Sequence, residues 1–399
     1  MTNYYRACAA IKSPFQATAA KNLAGDQKPV LWSEVNLLIP NLGSTSLKYQ
    51  ILEMPAETLL AKGRLERVAD YRDAIRQAFG QIGAGETRID AVALKAVHAG
   101  PRYRGTFVVD DGVVAALRQF LPAAPAHNAI YLTAIEAFRE AMPGTPIVAA
   151  FEPEFHATMP EQARLYGVPG AWLEEGVVKY GFHGASHQYV GERVAAMLGR
   201  QGNLVSCHLG GSSSMCAINA GRSVDTTMGF SPQSGLENAT RHGDLDVFAV
   251  LYMMERHGWS TEEVRRQLSK GGGLAGLSGV EGGDLRDIEA AAGQGSRRAE
   301  LALAVFAYQV KKTIGAYAAA MGGLDAVAFT GGIGENSARL RSACCEGLEF
   351  LGIRLDAEKN HSGSGDRMVS AVDSRVAVLA LATNEELIVA RRAYRLLSN

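Results

Sequence analysis

Apolar and polar residues fall into blocks that predict short strands and longer helices. Val35-Asn36-Leu37-Leu38-Ile39 is an apolar run leading into a Gly-rich turn, and Gln50-Ile51-Leu52-Glu53-Met54 follows closely. Two short strands around Gly43-Ser44-Thr45-Ser46 predict a β-hairpin. The same design returns downstream. Leu204-Val205-Ser206-Cys207 leads into His208-Leu209-Gly210-Gly211-Ser212-Ser213-Ser214, then Met215-Cys216-Ala217-Ile218. When Asn41-Leu42-Gly43 is set over His208-Leu209-Gly210, Ser46 falls over Ser213, which predicts one unit used twice.

Arg298 to Met321 carries apolar residues at Leu301, Leu303, Val305 and Phe306, and predicts a long, largely buried helix that ends at Gly322-Gly323. Ala326-Val327-Ala328-Phe329 then predicts a strand opening into Thr330-Gly331-Gly332-Ile333-Gly334-Glu335-Asn336. A strand feeding a Gly-rich turn is the usual build of a nucleotide site in an α/β fold. A strand from Val376 to Leu381, the turn Ala382-Thr383-Asn384 and a helix from Glu385 close the chain. Strands alternating with helices predict α/β layers.

Composition narrows the partners. The chain has 399 residues, 47% hydrophobic and 20% charged, which is ordinary for a globular protein and long enough for two domains. A net charge of −1 offers no electrostatic footing for nucleic acid or an anionic membrane, so a small-molecule substrate is expected. No apolar run reaches the roughly 18 residues of a membrane span. Five cysteines, Cys8, Cys207, Cys216, Cys344 and Cys345, form no C-x-x-C pair and predict reduced thiols in a reducing compartment. The stretch before Ser33 carries Arg6, Lys12, Lys21 and Lys28 with few acids, as a targeting peptide would, but reads first as a disordered tail or an over-extended start.

A Gly/Ser hairpin suits a phosphate, because glycine admits close backbone approach and successive N–H groups converge on an anion. Two such loops and a third Gly-rich turn favour phosphate binding over plain turns. Lys48, just past the first loop, either neutralises phosphate or is a solvated edge-strand lysine; spacing alone does not decide. Three polar clusters lie in apolar settings: Tyr180 to His187, Thr240-Arg241-His242-Gly243-Asp244, and Phe151-Glu152-Pro153-Glu154-Phe155-His156. Taken singly, each fits a structural histidine as well as a catalytic one.

Together these residues carry a resemblance. Asn41 to Lys48, Tyr180-Gly181-Phe182-His183-Gly184, His208-Leu209-Gly210, Asp225 to Pro232, Thr240-Arg241, Phe329 to Asn336 and Thr383 to Leu387 occur in the order seen in acetate kinases. The chain resembles that acetokinase family, within the actin-like ATPase superfamily, from about Val35 to its end. The resemblance implies an α/β fold of duplicated actin-like/ribonuclease H-like ATPase domains with a cleft between them. It implies a first domain over 34–153 completed by a C-terminal helix at 386–399, a nucleotide-binding domain over 154–385, and an N-terminal extension over 1–33. It further implies a cytoplasmic homodimer that makes acyl phosphate reversibly from ATP and a short-chain carboxylate, with Mg²⁺ or Mn²⁺.

The family roles fall on particular residues. Arg241 is expected to clamp the carboxylate and the phosphoryl group, and His183 to donate to the phosphoryl. Asn41 and Glu385 are expected at the metal. Lys48, His208, Gly210, Gly211, Ser212, Asp284, Arg286, Gly331, Gly332, Ile333, Gly334 and Asn336 are expected at the nucleotide and its phosphates. Val97, Ala126, Phe182 and Pro232 are expected to line the acyl pocket, with His127 nearby.

Several positions depart from the family pattern. Its catalytic arginine is Lys95 here and its catalytic aspartate is Glu152. Lysine keeps the charge but loses the bidentate fork. Arg102 and Arg104 lie close by in sequence as possible compensation. The usual Asn-Gly of the phosphate loop is Gly211-Ser212, and the proline before Thr383 is Ala382. Ala126 replaces a leucine, which predicts a wider pocket and use of propionate or butyrate at least as well as acetate. Because charge survives at Lys95 and Glu152, an active kinase is favoured over a degenerate ATP-binding protein. A sugar kinase or chaperone-type ATPase is disfavoured by the Tyr180–Gly184 and Thr240-Arg241 motifs.

Overall fold

The computed structural model describes residues 33–399, apart from 44, 45, 69 and 84–86. The N-terminal stretch and Cys8 therefore lie outside the described residues.

Two six-stranded sheets organise the chain. The first holds β1 (Val35–Leu42), β2 (Ser46–Met54), β3 (Thr58–Glu66), β4 (Ala91–Ala96), β5 (Thr106–Val108) and β6 (Ile147–Phe151), in the order β3-β2-β1-β4-β6-β5. The second holds β7 (Asn203–His208), β8 (Ser214–Asn219), β9 (Arg222–Thr226), β10 (Ala326–Thr330), β11 (Arg367–Met368) and β12 (Ala377–Ala380). Its order, β9-β8-β7-β10-β12-β11, repeats the first. In each sheet the first three strands are antiparallel, the next pairs are parallel and the last strand is antiparallel. The repeat expected from two Gly/Ser loops is thus a repeat of whole sheets. Both loops are the turn between the first two strands of a sheet.

The sheets are covered on both faces, so their central strands are apolar without alternation. β6 and β10 are buried at every residue. On one face of the first sheet, Leu38, Val92, Leu94 and Ala149 pack against Ile75, Leu117, Ile135 and Phe138 of three helices. On the other, Leu37, Ile39, Ala91, Ala93 and Val148 pack against Val389, Ala390 and Ala393 of the C-terminal helix Glu385–Leu397. In the second half the helix Gly184–Leu198 takes the equivalent place. Its Val190 and Val194 cover Leu204, Ile218, Ala328 and Leu379. The opposite face packs on the helix Arg297–Met321 through Phe306, Val310 and Ile314. Ser296 caps that helix by accepting from the Ala299 N–H, and Gly322 ends it in the left-handed conformation at φ 70°.

The C-terminal helix crosses from the second half to the first and lies beside Gly184–Leu198. Buried Arg392 donates to Gln188 Oε1 at 2.6 and 3.2 Å. Arg391 reaches Glu57 of the first half at 2.6 Å and Glu192 of the second at 2.8 Å. Free thiols at Cys207, Cys216, Cys344 and Cys345 are all buried.

Ile314→Ala should cost about 2–5 kcal/mol in urea denaturation, because Ile314 is fully buried beneath the second sheet. Leu301→Ala, on the exposed face of the same helix, should change stability by less than about 0.5 kcal/mol.

Candidate active site

Carboxyl ends of parallel strands from both sheets, and the N-termini of the two crossing helices, meet at one cleft. That is where open α/β sheets hold ligands. Asn41 lies near the end of β1 and donates through Nδ2 to Glu386 Oε1 at 2.7 Å. Lys95, on β4, places its ammonium against the Glu385 carboxylate and 3.6 Å from Glu152 Oε1. Glu152 immediately follows β6, is 4% exposed, and its Oε2 has no hydrogen-bond partner among the described residues. Gly184 opens the neighbouring helix, and a Cβ there would lie 2.0 Å from the Glu152 carbonyl. Only glycine lets helix and strand end approach so closely.

The charges in this cluster respond to one another. Burial opposes the Lys95 charge, but Glu385 and Glu152 outweigh it and raise its pKa well above the ordinary value. Burial likewise works against ionised Glu385, and Lys95 and His208 overcome it, so its pKa is lowered. Glu152 goes the other way: burial dominates over the more distant Lys95, and its pKa is raised.

His183 caps the Gly184–Leu198 helix in the left-handed conformation at φ 55°. Its ring stacks on His208, centroids 4.2 Å apart. His183 Nδ1 lies 2.8 Å from Ser214 Oγ, and His208 Nδ1 lies 2.8 Å from Ser186 Oγ. Burial first, then neighbouring positive groups, lowers the pKa of His183 well below its usual value. His208 is lowered too, again chiefly by burial. His127, in the first turn of the helix Pro125–Ala141, falls to about 4 through burial and the nearby cations of Arg241 and Lys95. These imidazoles are neutral at pH 7.

Arg241 donates from Nη2 to Ser212 Oγ and from Nη1 to the Pro232 carbonyl at 2.6 Å. The departure at Gly211-Ser212 therefore puts a hydroxyl on this arginine. The loop itself is braced by buried Asn238, whose Oδ1 accepts from the Ser213 N–H at 2.6 Å. Ser213 Oγ accepts from the Gly210 N–H at 3.1 Å. The second Gly-rich turn docks on the end of β7: Ile333 and Gly334 donate to the Leu209 carbonyl at 2.9 and 3.2 Å. Gly331 has φ 75°, and a Cβ there would sit 2.6 Å from the same carbonyl. Gly210, Gly211, Ser212, Gly331, Gly332, Ile333 and Gly334 thus form one floor. Asn336 Nδ2 donates to the Gly332 carbonyl at 2.8 Å. Asp284 caps the helix Leu285–Gly293 and pairs with exposed Arg286 at 2.6 Å. That helix is tied to the turn by Ser337 Oγ donating to Glu289 at 2.7 Å.

Val97 and Phe182 share an apolar cluster with Ala124, Tyr131, Val178, Tyr180 and Met228. Pro232 is buried and holds Arg241 through its carbonyl. Ala126 lies in the first turn of the helix Pro125–Ala141, beside His127. Lys48 is exposed on β2, opposite Asn41 in register.

One expectation fails. Arg102 and Arg104 do not stand in for the missing arginine fork. Arg102 is exposed over the Tyr103 ring, and Arg104 lies over the Tyr180 ring at 5.3 Å. Neither forms an ion pair with Glu152 or Glu385 among the described residues. The β4 strand ends at Ala96, and the chain turns through Gly100, at φ 75°, before it reaches them. Sequence reasoning also passed over Asn238, Ser186 and Ser214.

The Acetokinase family profile matches residues 65–391. An acetate kinase of Shouchella clausii is 40% identical over 389 residues, covering 90% of this chain and 98% of that protein. The chain belongs to the acetokinase family. Among solved structures, the Porphyromonas gingivalis acetate kinase superposes with a TM-score of 0.81 at 33% identity, covering 91% of this chain and all of that one. A Francisella tularensis propionate kinase superposes with a TM-score of 0.84 at 30% identity, covering 90% and 98%. Membership of the acetokinase family accounts for the duplicated α/β sheets and their shared cleft. No helix among the described residues is long and apolar enough to cross a membrane.

The buried histidines set a pH dependence. Burial, the largest cause for each, pushes His98 and His127 to about 4 and His156 to about 3, from an ordinary 6.5. A base with a depressed pKa in the folded state binds fewer protons there than when unfolded. Its contribution is complete above 6.5 and is lost as pH falls towards the folded value. Denaturation midpoints should therefore begin to fall near pH 6.5; a midpoint flat down to about pH 5 would contradict this.

Proposed function

We propose that this acetokinase-family chain moves a phosphoryl group reversibly between ATP and the carboxylate of a short-chain acid. The observation that carries the reading is the position of Arg241. It is hydrogen-bonded to Ser212 of the phosphate loop and to Pro232 beside the pocket, so it reaches both substrates at once. Its planar fork suits a carboxylate and a phosphoryl oxygen alike. Val97, Phe182 and Pro232 take the acyl chain, with Ala126 as the fourth lining residue in this reading.

Phosphoryl transfer asks for in-line positioning and neutralised oxygens, with little covalent help. The substrate carboxylate is itself the nucleophile, so no protein nucleophile is needed. Lys95 supplies a fixed positive charge beside the transferring group, and neutral His183 donates a hydrogen bond to it. His208, Gly210, Gly211 and Ser212 receive the phosphates, with Lys48 at the entrance. Gly331, Gly332, Ile333, Gly334 and Asn336, flanked by Asp284 and Arg286, receive the nucleoside. In this reading 34–153 with the C-terminal helix form one domain and 154–385 the nucleotide domain, matching the two sheets.

No group of three or more His, Cys, Asp or Glu side chains arranged for a metal occurs among the described residues. Mg²⁺ carried on ATP needs only one or two carboxylates besides phosphate oxygens. Glu152, with its unpartnered buried Oε2, fits that demand together with Glu385 and Asn41. When bound, Mg²⁺ or Mn²⁺ would neutralise charge on the phosphate oxygens.

Substrate length is the open choice within this reading. Alanine at 126 favours propionate or butyrate at least equally with acetate, and one similar solved structure is a propionate kinase. With purified protein and MgATP, a hydroxamate assay should detect acyl phosphate from acetate, propionate or butyrate. Arg241→Ala should lower kcat/KM roughly 100-fold or more. Protein that binds ATP yet yields no acyl phosphate from any of the three would overturn the reading and leave a degenerate binding module.

A homodimer in the cytoplasm completes the proposal. The helix Val247–His257 exposes Val247, Phe248, Leu251 and Tyr252 beside Leu245, an apolar stripe that suits burial against a second copy. The four free thiols among the described residues suit a reducing compartment. Light scattering should give twice the mass of one chain, and Phe248→Glu should shift it towards monomer; a wild-type monomer would refute the dimer.

A further inference from the structure

His183 can donate to a phosphoryl group only if its proton sits on the ring nitrogen free of protein contacts. A neutral imidazole carries one proton, and the partner of one nitrogen decides which tautomer exists. His183 Nδ1 lies 2.8 Å from Ser214 Oγ. The same Ser214 oxygen lies 2.8 Å from His187 Nε2, and His187 Nδ1 lies 2.9 Å from Ser206 Oγ. Ser206, His187 and Ser214 are all fully buried. The four side chains therefore form an unbranched line, shut off from water except at His183.

Such a line has two directions, and they are not equivalent. In one, Ser206 donates its proton to His187 Nδ1. His187 then carries its proton on Nε2 and donates to Ser214 Oγ. Ser214 donates to His183 Nδ1, leaving the His183 proton on Nε2. Every donor in the line is used except the His183 Nε2–H at its open end. In the other direction His183 donates from Nδ1 to Ser214, Ser214 to His187 Nε2, and His187 from Nδ1 to Ser206. The Ser206 proton is then left over. His187 is the hydrogen-bond partner of the Ser206 hydroxyl among the described residues, and no acceptor is available for that buried proton. Buried donors are almost always paired, so the first direction prevails.

We propose that Ser214 is a positioning residue: it heads a one-directional hydroxyl–imidazole line from Ser206 through His187 and fixes His183 as an Nε2–H donor. This deepens the kinase reading and rests on it for the destination of the His183 proton. The local fold supports the role. His187 is one helical turn from His183, and its N–H donates to the His183 carbonyl at 2.9 Å. Ser214 opens β8 directly opposite His208, and Ser206 lies on β7 two residues earlier. The left-handed φ of His183 is a conformation that a non-glycine residue holds only when its surroundings impose it.

A second, shorter line runs in parallel. Thr383 Oγ1 donates to Ser186 Oγ at 2.9 Å, and Ser186 can then donate to His208 Nδ1 at 2.8 Å. His208, stacked on His183, is thereby also an Nε2–H donor. Two parallel rings present two neutral donors side by side. The remaining neighbouring imidazole, His156, faces His187 edge-on at 5.8 Å and is occupied by Ser223 and the Phe182 carbonyl.

The test is nitrogen-15 NMR of the histidine rings in the full chain at pH 7 without substrates, paired with steady-state kinetics. Wild type should show His183 and His187 as neutral Nε2–H tautomers. Ser214→Ala should move His183 away from a pure Nε2–H pattern and lower kcat roughly 10- to 100-fold. KM for ATP should stay within about twofold, which a general packing defect would not preserve. Ser206→Ala should act in the same direction and serves if Ser214→Ala does not fold. A wild-type His183 found as Nδ1–H or as imidazolium overturns the proposal, as does an unchanged kcat in Ser214→Ala. The ring spectrum is read on resting protein, so a failure to make acyl phosphate would sink the kinase reading without touching the tautomer.

Discussion

The Lys95 ammonium, set between Glu152 and Glu385, adds a charge contact to three elements that already pack on one another. Lys95 is the penultimate residue of a strand of the first sheet, Glu152 follows that sheet's neighbouring strand, and Glu385 opens the helix Glu385–Leu397. A buried charge is tolerated only when paired, and removing one partner leaves the others stranded. The cluster therefore constrains the register of β4, the end of β6 and the axial position of the C-terminal helix together. Glu385 gains further from its place in the first turn of that helix, where the helix dipole favours an anion. Glu152, held less closely, keeps an oxygen without a partner. The cluster is both the brace of the cleft and the source of its unsatisfied valence.

Duplication explains why chemistry gathers at this point. Each half presents the carboxyl ends of its parallel strands on the same side, and on one face each carries a helix whose start lies against those strand ends. His183 and Glu385 mark those two helix starts. Two copies of a unit with a polar strand-end face, set against each other, bring those faces to one polar cleft. The antiparallel hairpins contribute the Gly/Ser turns at its rim, and the apolar cluster around Phe182 gives it a dry corner.

Much of this was legible along the chain because it is local. Gly-rich turns after apolar runs, the long helix ended by Gly322, and the motifs around Asn41, His183, Arg241 and Glu385 are contiguous signals. The supports behind them are not. Ser214 touches residues 27 and 31 positions away, and Asn238 braces a loop 25 positions away. Serine and asparagine are common, and nothing in their neighbours marks them as partners. Arg102 and Arg104 show the converse: closeness in sequence suggested a role at Lys95, but a turn at Gly100 carries both arginines to aromatic rings instead. Ser212, noted along the chain only as part of a departure from the phosphate-loop pattern, is the contact that seats Arg241.

The position of the last helix bears on how the chain is made. Leu37, Ile39, Ala91, Ala93 and Val148 form one face of the first sheet, and the side chains that cover them are Val389, Ala390 and Ala393. These are synthesised some 240 residues after the sheet's last strand. Throughout translation of the second half, the nascent first sheet has one apolar face bare and cannot complete its core. Domains generally fold as units, N-terminal first, on the ribosome, and exposed apolar surface makes such intermediates aggregation-prone. Here the first half is the last to finish. Its covering helix follows the whole second half, so a chain interrupted anywhere before that helix leaves a sticky, unfinished sheet rather than a usable half-protein.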